Sequence, residues 1–323
     1  MRLMRVGLVA IACACVAALA ACGGSDKTST QSGSSTAKSS AAVTVGFVLP
    51  TVDGNPFYKA VADAAQAEAD RLDGVTLQFS APTGTFSPQK YLDAIDTMGS
   101  RGIKAIAFDP YDAKLFTATI NGLDARGVPV VSVGDPPIPG AKEAAVINTD
   151  SEGAVREGIA SMVKAMGGKG TAAILTFPGN IVVTARVDAA KTALKGAGIA
   201  IAGSAPVDCT EVKGANSTQD LLQAHPEITA VFAPCGLSGL GAAKAVAQAN
   251  KKVTVYSFDG SQDELKAVQD GSLAGTIAQR PTELGQTTVR TLAAVARGES
   301  VKPLQLTGYD VITKANVAQF IGK

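Results

Sequence analysis

The sequence predicts an α/β protein made of two doubly wound parallel-sheet lobes, and three observations carry that expectation. Short apolar runs rich in β-branched residues alternate with longer segments of helical period, as in parallel strands joined by crossover helices. The alternation runs through one series, breaks near Asp150, and resumes as a second series of the same kind. The stretch from about Val43 to Lys323 is long enough to form two such units.

In the first series, strands are expected over 42–50, 75–81, 103–109 and 128–134, with helices over 57–72, 89–102 and 113–127. Asn55-Pro56 and Ser87-Pro88 mark two of the helix starts, because proline suits the first helical position. The second series opens with a helix over 152–166. Strands over 171–177, 199–207, 228–234, 253–259 and 273–279 then alternate with helices over 184–198, 215–225, 240–250 and 262–271. A last helix over 282–298 precedes a short ending.

The N-terminus reads differently. Arg2 and Arg5 precede an apolar run from Val6 to Ala18, too short for a comfortable membrane span, and residues 1–21 are expected to be an export signal. It ends in Leu19-Ala20-Ala21-Cys22, which resembles a bacterial lipobox and marks Cys22 as a lipidation site. Residues 22–42 are mostly Ser, Thr, Gly, Ala and Lys, with little to bury, and are expected to form a flexible tether. No later run approaches the roughly 18 apolar residues of a spanning helix.

Composition excludes several function classes. A net charge of +1 gives no electrostatic reason to expect nucleic acid. The single histidine, His225, sits before a proline at a helix end, so a Ser-His-Asp set cannot be assembled elsewhere. There is no G-x-x-x-x-G-K-[ST] phosphate loop, and the glycines of Gly236–Gly241 lack dinucleotide spacing. Two domain cysteines and one histidine make a poor zinc site. No enzyme, cofactor or metal is expected. Ligands of open α/β sheets lie beyond the carboxyl ends of the strands. Here those ends carry acids, amides and aromatics, in stretches such as FDPYD and APCGLSG.

Cys235 follows one of those strands and opens a helix, a place open to a nucleophile, a metal ligand, half of a disulfide or packing. In an exported chain left with only Cys209 and Cys235, a bridge is the default.

The stretches GNPFYKAVADAAQAEADRL, AHPEITAVFA and VYSFDGSQDELKAVQDGSLAGTIAQRPTELG, in this order, resemble the type I periplasmic sugar-binding proteins of ABC importers, most closely the ribose-binding branch. The resemblance covers about Val43 to Ile312. It implies a multi-crossing hinge near Thr149, Arg280 and Gly308, with one lobe from 43–148 plus 281–308 and the other from 149–280 plus 309–323. It also implies a ligand site of Asn55, Phe57, Tyr58, Arg186, Asp259 and Gln279, and a monomer that delivers a small sugar or polyol to a permease. Such residues suit a sugar, which offers hydroxyls to acceptors and an apolar ring face to aromatics. The alternative is a sensor that presents a sugar-like signal, such as a quorum-signal furanose, to a membrane receptor.

The departures from the ribose-binding pattern bear on specificity. Where that branch has an Asp-Arg pair, this chain has Gly134-Asp135-Pro136-Pro137. Cys209 replaces a stacking aromatic and Cys235 a sugar-bonding asparagine, which counts against ribose. Placed this way, both cysteines fall at cleft-facing strand ends, where a Cys209–Cys235 bridge would form part of the floor. The rival is a pair of free thiols acting as small apolar fillers. Tyr111 is the candidate for an aromatic supplied from the opposite lobe, and Asp135 joins the site as a candidate ligand-binding residue. The expected location is outside the cytoplasmic membrane, tethered through lipid on Cys22.

Overall fold

The computed structural model describes residues 41–322. The export signal, Cys22 and nearly all of the tether lie outside the described residues.

The first sheet is built from β1 (Val43–Val48), β2 (Val75–Ser80), β3 (Ile106–Phe108), β4 (Val130–Val133) and β5 (Glu143–Thr149), with β11 (Leu304–Thr307) arriving late in the chain. Helices α1 (Pro56–Arg71), α2 (Pro88–Gly99) and α3 (Ala113–Ala125) connect its strands. The order is β11-β5-β4-β3-β1-β2, parallel throughout. The second sheet holds β6 (Thr171–Thr176), β7 (Ala200–Pro206), β8 (Ala230–Phe232), β9 (Thr254–Asp259), β10 (Gly275–Gln279) and β12 (Tyr309–Thr313). Its order is β12-β10-β9-β8-β6-β7, and β12 runs antiparallel to β10 while the rest are parallel. Helices α4 (Ser151–Ala165), α5 (Ile181–Gly196), α6 (Glu211–Ala224), α7 (Gly236–Gln248) and α8 (Gln262–Asp270) flank this sheet, and α9 (Pro281–Ala296) returns to the first.

The inner strands of both sheets are buried on both faces, which is why they read as apolar runs rather than alternating ones. Val45, Phe47, Val131 and Ile147 pack with α1 and α9 on one side of the first sheet, while Val48, Ile106, Phe108 and Val130 pack with α2 and α3 on the other. The second sheet repeats the plan with Val231 and Val255 on one face and Ile174, Phe232, Phe258 and Ile277 on the other.

Three strands depart from the expected alternation. β5 follows β4 directly, through a loop over 134–142 and no helix, although parallel neighbours normally need a crossover of a dozen or more residues. A reading based on alternation therefore skips it. β11 and β12 fill the short ending and also lack an intervening helix. Helices α5, α6 and α7 begin three to four residues earlier than expected, since Asn180 and Thr210 cap the first two through their side chains.

The chain passes between the sheets three times, at 149–151, 279–281 and 307–309. The passages are tied together: the Thr149 hydroxyl donates to Gln279 Oε1 at 2.8 Å and lies 3.3 Å from the Thr307 hydroxyl, all three being buried.

Candidate ligand-binding cleft

The carboxyl ends of both sheets open onto one cleft with a cavity volume of 280 Å³, at the small end of the range for ligand pockets. Of the residues singled out in the sequence, Asn55, Phe57, Tyr58, Tyr111, Arg186, Cys209, Cys235, Asp259 and Gln279 line it. Asp135 does not. It is fully buried, beside Asp109.

On the first-sheet side, the start of α1 sets the geometry. Asn55 is its N-cap, and its side-chain oxygen accepts from the Tyr58 N–H at 3.1 Å. That leaves the amide NH₂ as the part of Asn55 with hydrogen bonds to offer. Phe57 and Tyr58 follow in the first turn with ring centroids 5.7 Å apart. The Tyr58 hydroxyl donates to Asp109 Oδ2 at 2.6 Å. Burial, then the neighbouring Asp109 charge, pushes the Tyr58 phenol well up. Tyr111 packs edge-on against Phe86 and Phe116, and its hydroxyl is buried without a partner. Burial raises that phenol to about 12.

On the second-sheet side, the polar groups already bond one another. Asp259 Oδ1 accepts from Gln279 Nε2 at 2.8 Å, and Oδ2 accepts from the Gly236 N–H at 3.0 Å. The second bond places a carboxylate at the N-terminus of α7, where free N–H groups favour an anion. Cys235, the N-cap residue of α7, makes no side-chain cap bond. Asp259 holds φ at 122°, an unusual backbone for a residue with a Cβ and one that costs of order 1–3 kcal/mol. Gly260 follows at φ 75°, where an added Cβ would collide with Ala278.

Arg186, expected in the site, is buried there. It is 5% exposed on α5, stacked over the Phe258 ring at 3.7 Å, donating to the Pro234 carbonyl at 3.0 Å and lying 3.6 Å from Asp259. Burial raises the Asp259 carboxyl and the nearby guanidinium opposes that rise.

Cys209 and Cys235 are bonded to each other, with Cα atoms 5.6 Å apart. The bridge joins the loops after β7 and β8 and forms part of the cleft wall. It rules out the free-thiol alternative and leaves no thiol in the cleft to act as a nucleophile. No group of residues suited to a metal ion occurs among the described residues.

Sequence reasoning missed Asp109, Phe86 and Glu264, all of which line the cleft. Asp109 sat in a strand-end stretch already noted for its acids, but turn chemistry accounts for an acid before proline just as well. Glu264 carried a clearer signal. Ser261 and Glu264 form a capping box, legible as S-x-x-E. Glu264 also accepts from the Ser257 and Thr276 hydroxyls at 2.6 and 2.7 Å.

A family model described as a periplasmic binding protein domain matches residues 45–300. The chain belongs to the periplasmic binding protein family. It is 30% identical over 260 residues to the ribose import binding protein RbsB of Escherichia coli, covering 80% of this chain and 86% of that one. The D-allose-binding periplasmic protein of Escherichia coli is 28% identical over 276 residues, covering 82% and 88%. Among solved structures, a solute-binding protein of an ABC transporter from Mycobacterium smegmatis, with bound glycerol, superposes with a TM-score of 0.79 at 30% identity, covering 87% of this chain and 98% of that one. The glucose-galactose binding protein GanP of Geobacillus stearothermophilus gives 0.81 at 25% identity, covering 85% and 98%. Like these relatives, this periplasmic binding protein is a solute-binding protein and not an enzyme.

Proposed function

We propose that the protein is an exported, lipid-anchored receptor that captures a small sugar or polyol in its interlobe cleft and hands it to an ABC importer. The observation that carries this reading is the pairing of two unlike faces across the cleft. Phe57 and Tyr58 offer aromatic surface from one lobe. From the other, Asp259 and Gln279 offer a hydrogen-bonded rim beside the Arg186 guanidinium. Relatives named for ribose, allose and apiose, and a neighbour holding glycerol, support the ligand class. Extracytoplasmic location follows the periplasmic relatives, while the anchor on Cys22 and a monomeric state remain part of the proposal.

Capture works through differential affinity. A ligand that bonds groups of both lobes favours the closed arrangement over the open one. The three chain passages act as the hinge, and Thr149, Gln279 and Thr307 link that hinge to the Asp259 rim.

The test is thermal unfolding of the purified protein, without reductant, against pentoses, hexoses and polyols. A ligand at 100 times its Kd adds about 2.7 kcal/mol, a melting shift of about 5 °C for a chain of this length. A clear shift with one compound supports the reading. Silence across the panel sends it back to a ligand of another class.

A further inference from the structure

The charges in the cleft do not balance. Asp109 faces it from the first lobe and Asp259 from the second, with Asp135 buried beside Asp109. Arg186 is the one cation among the described residues that line it. That guanidinium is bonded on its own lobe to the Pro234 carbonyl, the Phe258 ring and Asp259; its charge also reaches Asp109 and Asp135, but it makes no hydrogen bond or ion pair with either.

Asp109 is therefore short of partners. It is 6% exposed; Tyr58 donates to Oδ2, and Oδ1 has no hydrogen bond. Asp135 is 0% exposed and has no donor on either oxygen. The peptide N–H groups of Tyr111 and Val182 stand near the two carboxyls. Neither completes the missing bonds. Two adjacent carboxylates cannot both ionise in such a site unless a cation joins them. When no ligand cation is bound, a proton between them meets that demand; burial, then the neighbouring Asp109 charge, pushes the Asp135 carboxyl well up.

We infer that the ligand carries an ammonium group beside its hydroxyls, as an amino sugar or aminocyclitol does, and that this ammonium seats on Asp109 with Asp135 supporting the charge. The inference rests on the receptor reading above and narrows its ligand class. An ammonium supplies three donors in charge-assisted bonds, where a hydroxyl in its place supplies one donor and leaves the negative charge uncompensated. Phe57 and Tyr58 stand beside the seat, and an aromatic face attracts a cation.

Matched compounds test it by calorimetry on the purified protein at neutral pH. The sets are D-glucosamine, D-glucose and N-acetyl-D-glucosamine; the galactose equivalents; and scyllo-inosamine with scyllo-inositol. In at least one set the free amine should bind at least tenfold tighter than its hydroxyl parent and than any neutral acetylated form. An amine that binds should also release about one proton into buffer, read from its heat in two buffers of different ionisation enthalpy. Asp109→Asn should shrink the amine's advantage at least tenfold. Should that variant fail to fold, Asp135→Asn, which leaves the cleft wall intact, should reduce both the advantage and the proton release. Parents or acetylated forms that bind as tightly as the amines would overturn the ammonium seat and leave the sugar-receptor reading standing. If no compound binds, while a neutral pentose or polyol stabilises the fold, the ammonium seat again falls alone. Silence from those neutral compounds as well removes both.

Discussion

On the second-lobe face of the cleft both oxygens of Asp259 already have donors, whereas on the first-lobe face Asp109 keeps one oxygen unpaired, and Asp135, buried beside it, keeps two. The second-lobe face is also tied covalently through Cys209 and Cys235. The first-lobe face is held without a covalent tie, by aromatic packing around Tyr91, Tyr111 and Phe116 and by hydrogen bonds of the Tyr91 hydroxyl to the Val48 and Asp109 backbone. The second-lobe face keeps one orphaned donor, Arg186 Nε, but its carboxylate is satisfied and holds its shape without ligand, while a face with orphaned acceptors gains most when a donor arrives. The contrast separates a preformed wall from one that the ligand completes.

The largest effect is expected from Asp259→Ala. It removes the acceptor for Gly236 and Gln279 and leaves Arg186 buried without its carboxylate. Denaturant unfolding should show a loss of about 3–5 kcal/mol, and affinity for whichever ligand binds should fall at least a hundredfold. Unchanged affinity would show that the preformed wall is not a binding wall.

Reducing the bridge comes next. The cysteines are 26 positions apart in the chain, so the loop-closure model gives about 3–4 kcal/mol. The melting temperature should drop by roughly 5–7 °C when a Cys209→Ser, Cys235→Ser double variant is compared with the parent.

Stability should also depend on pH through Glu264, which burial, then the Asp259 charge, pushes up to about 7. Its folded-state pKa lies above its unfolded value, so the folded protein binds the extra proton. Stability is therefore greatest at acid pH and declines as pH rises through about 7. Asp109, Asp135 and Asp259 are raised too and act in the same sense. Between pH 5 and 8 the loss should be about 2–3 kcal/mol, and Glu264→Gln should flatten the profile. A profile that rises over that range would mean these carboxyls are ionised in the folded state at little cost.

Tyr58→Phe should have the smallest effect, about 1–2 kcal/mol, because it removes one donor from an acceptor that is already under-satisfied. If it destabilises more than Asp259→Ala, the contrast between the faces is reversed.

Most elements were legible because their signals are local. Asn55 and Pro56 mark the start of α1 at the level of single residues, and β1 and β9 are apolar runs ended by turn residues. β5 and β11 were missed because they exist by pairing with each other across the sheet, a non-local fact. The same distinction applies to the site. Asn55, Asp259 and Gln279 stood out through sequence resemblance, and the cysteines through their scarcity. Asp109 acquires its meaning from Tyr58, 51 positions away, and from Asp135, and no local pattern announces those partnerships. Arg186 also stood out through resemblance, but its burial over Phe258 and its bond to the Pro234 carbonyl depend on contacts far away in the chain.

The late arrival of β11 and α9 also sets an order of events during synthesis. The first lobe contains the earliest strands, yet its edge strand β11 and the helix α9 that covers α1 come from beyond Pro281. Until those residues leave the ribosome, β5 is paired on its β4 side only, and the apolar stripe of Val61 and Ala65 on α1 lacks Leu284 and Leu292. The second lobe's sheet needs only β12 to finish. The lobe that begins first is therefore completed only with the last strands of the chain, and a nascent chain stalled before Pro281 would present an apolar face for a chaperone to hold.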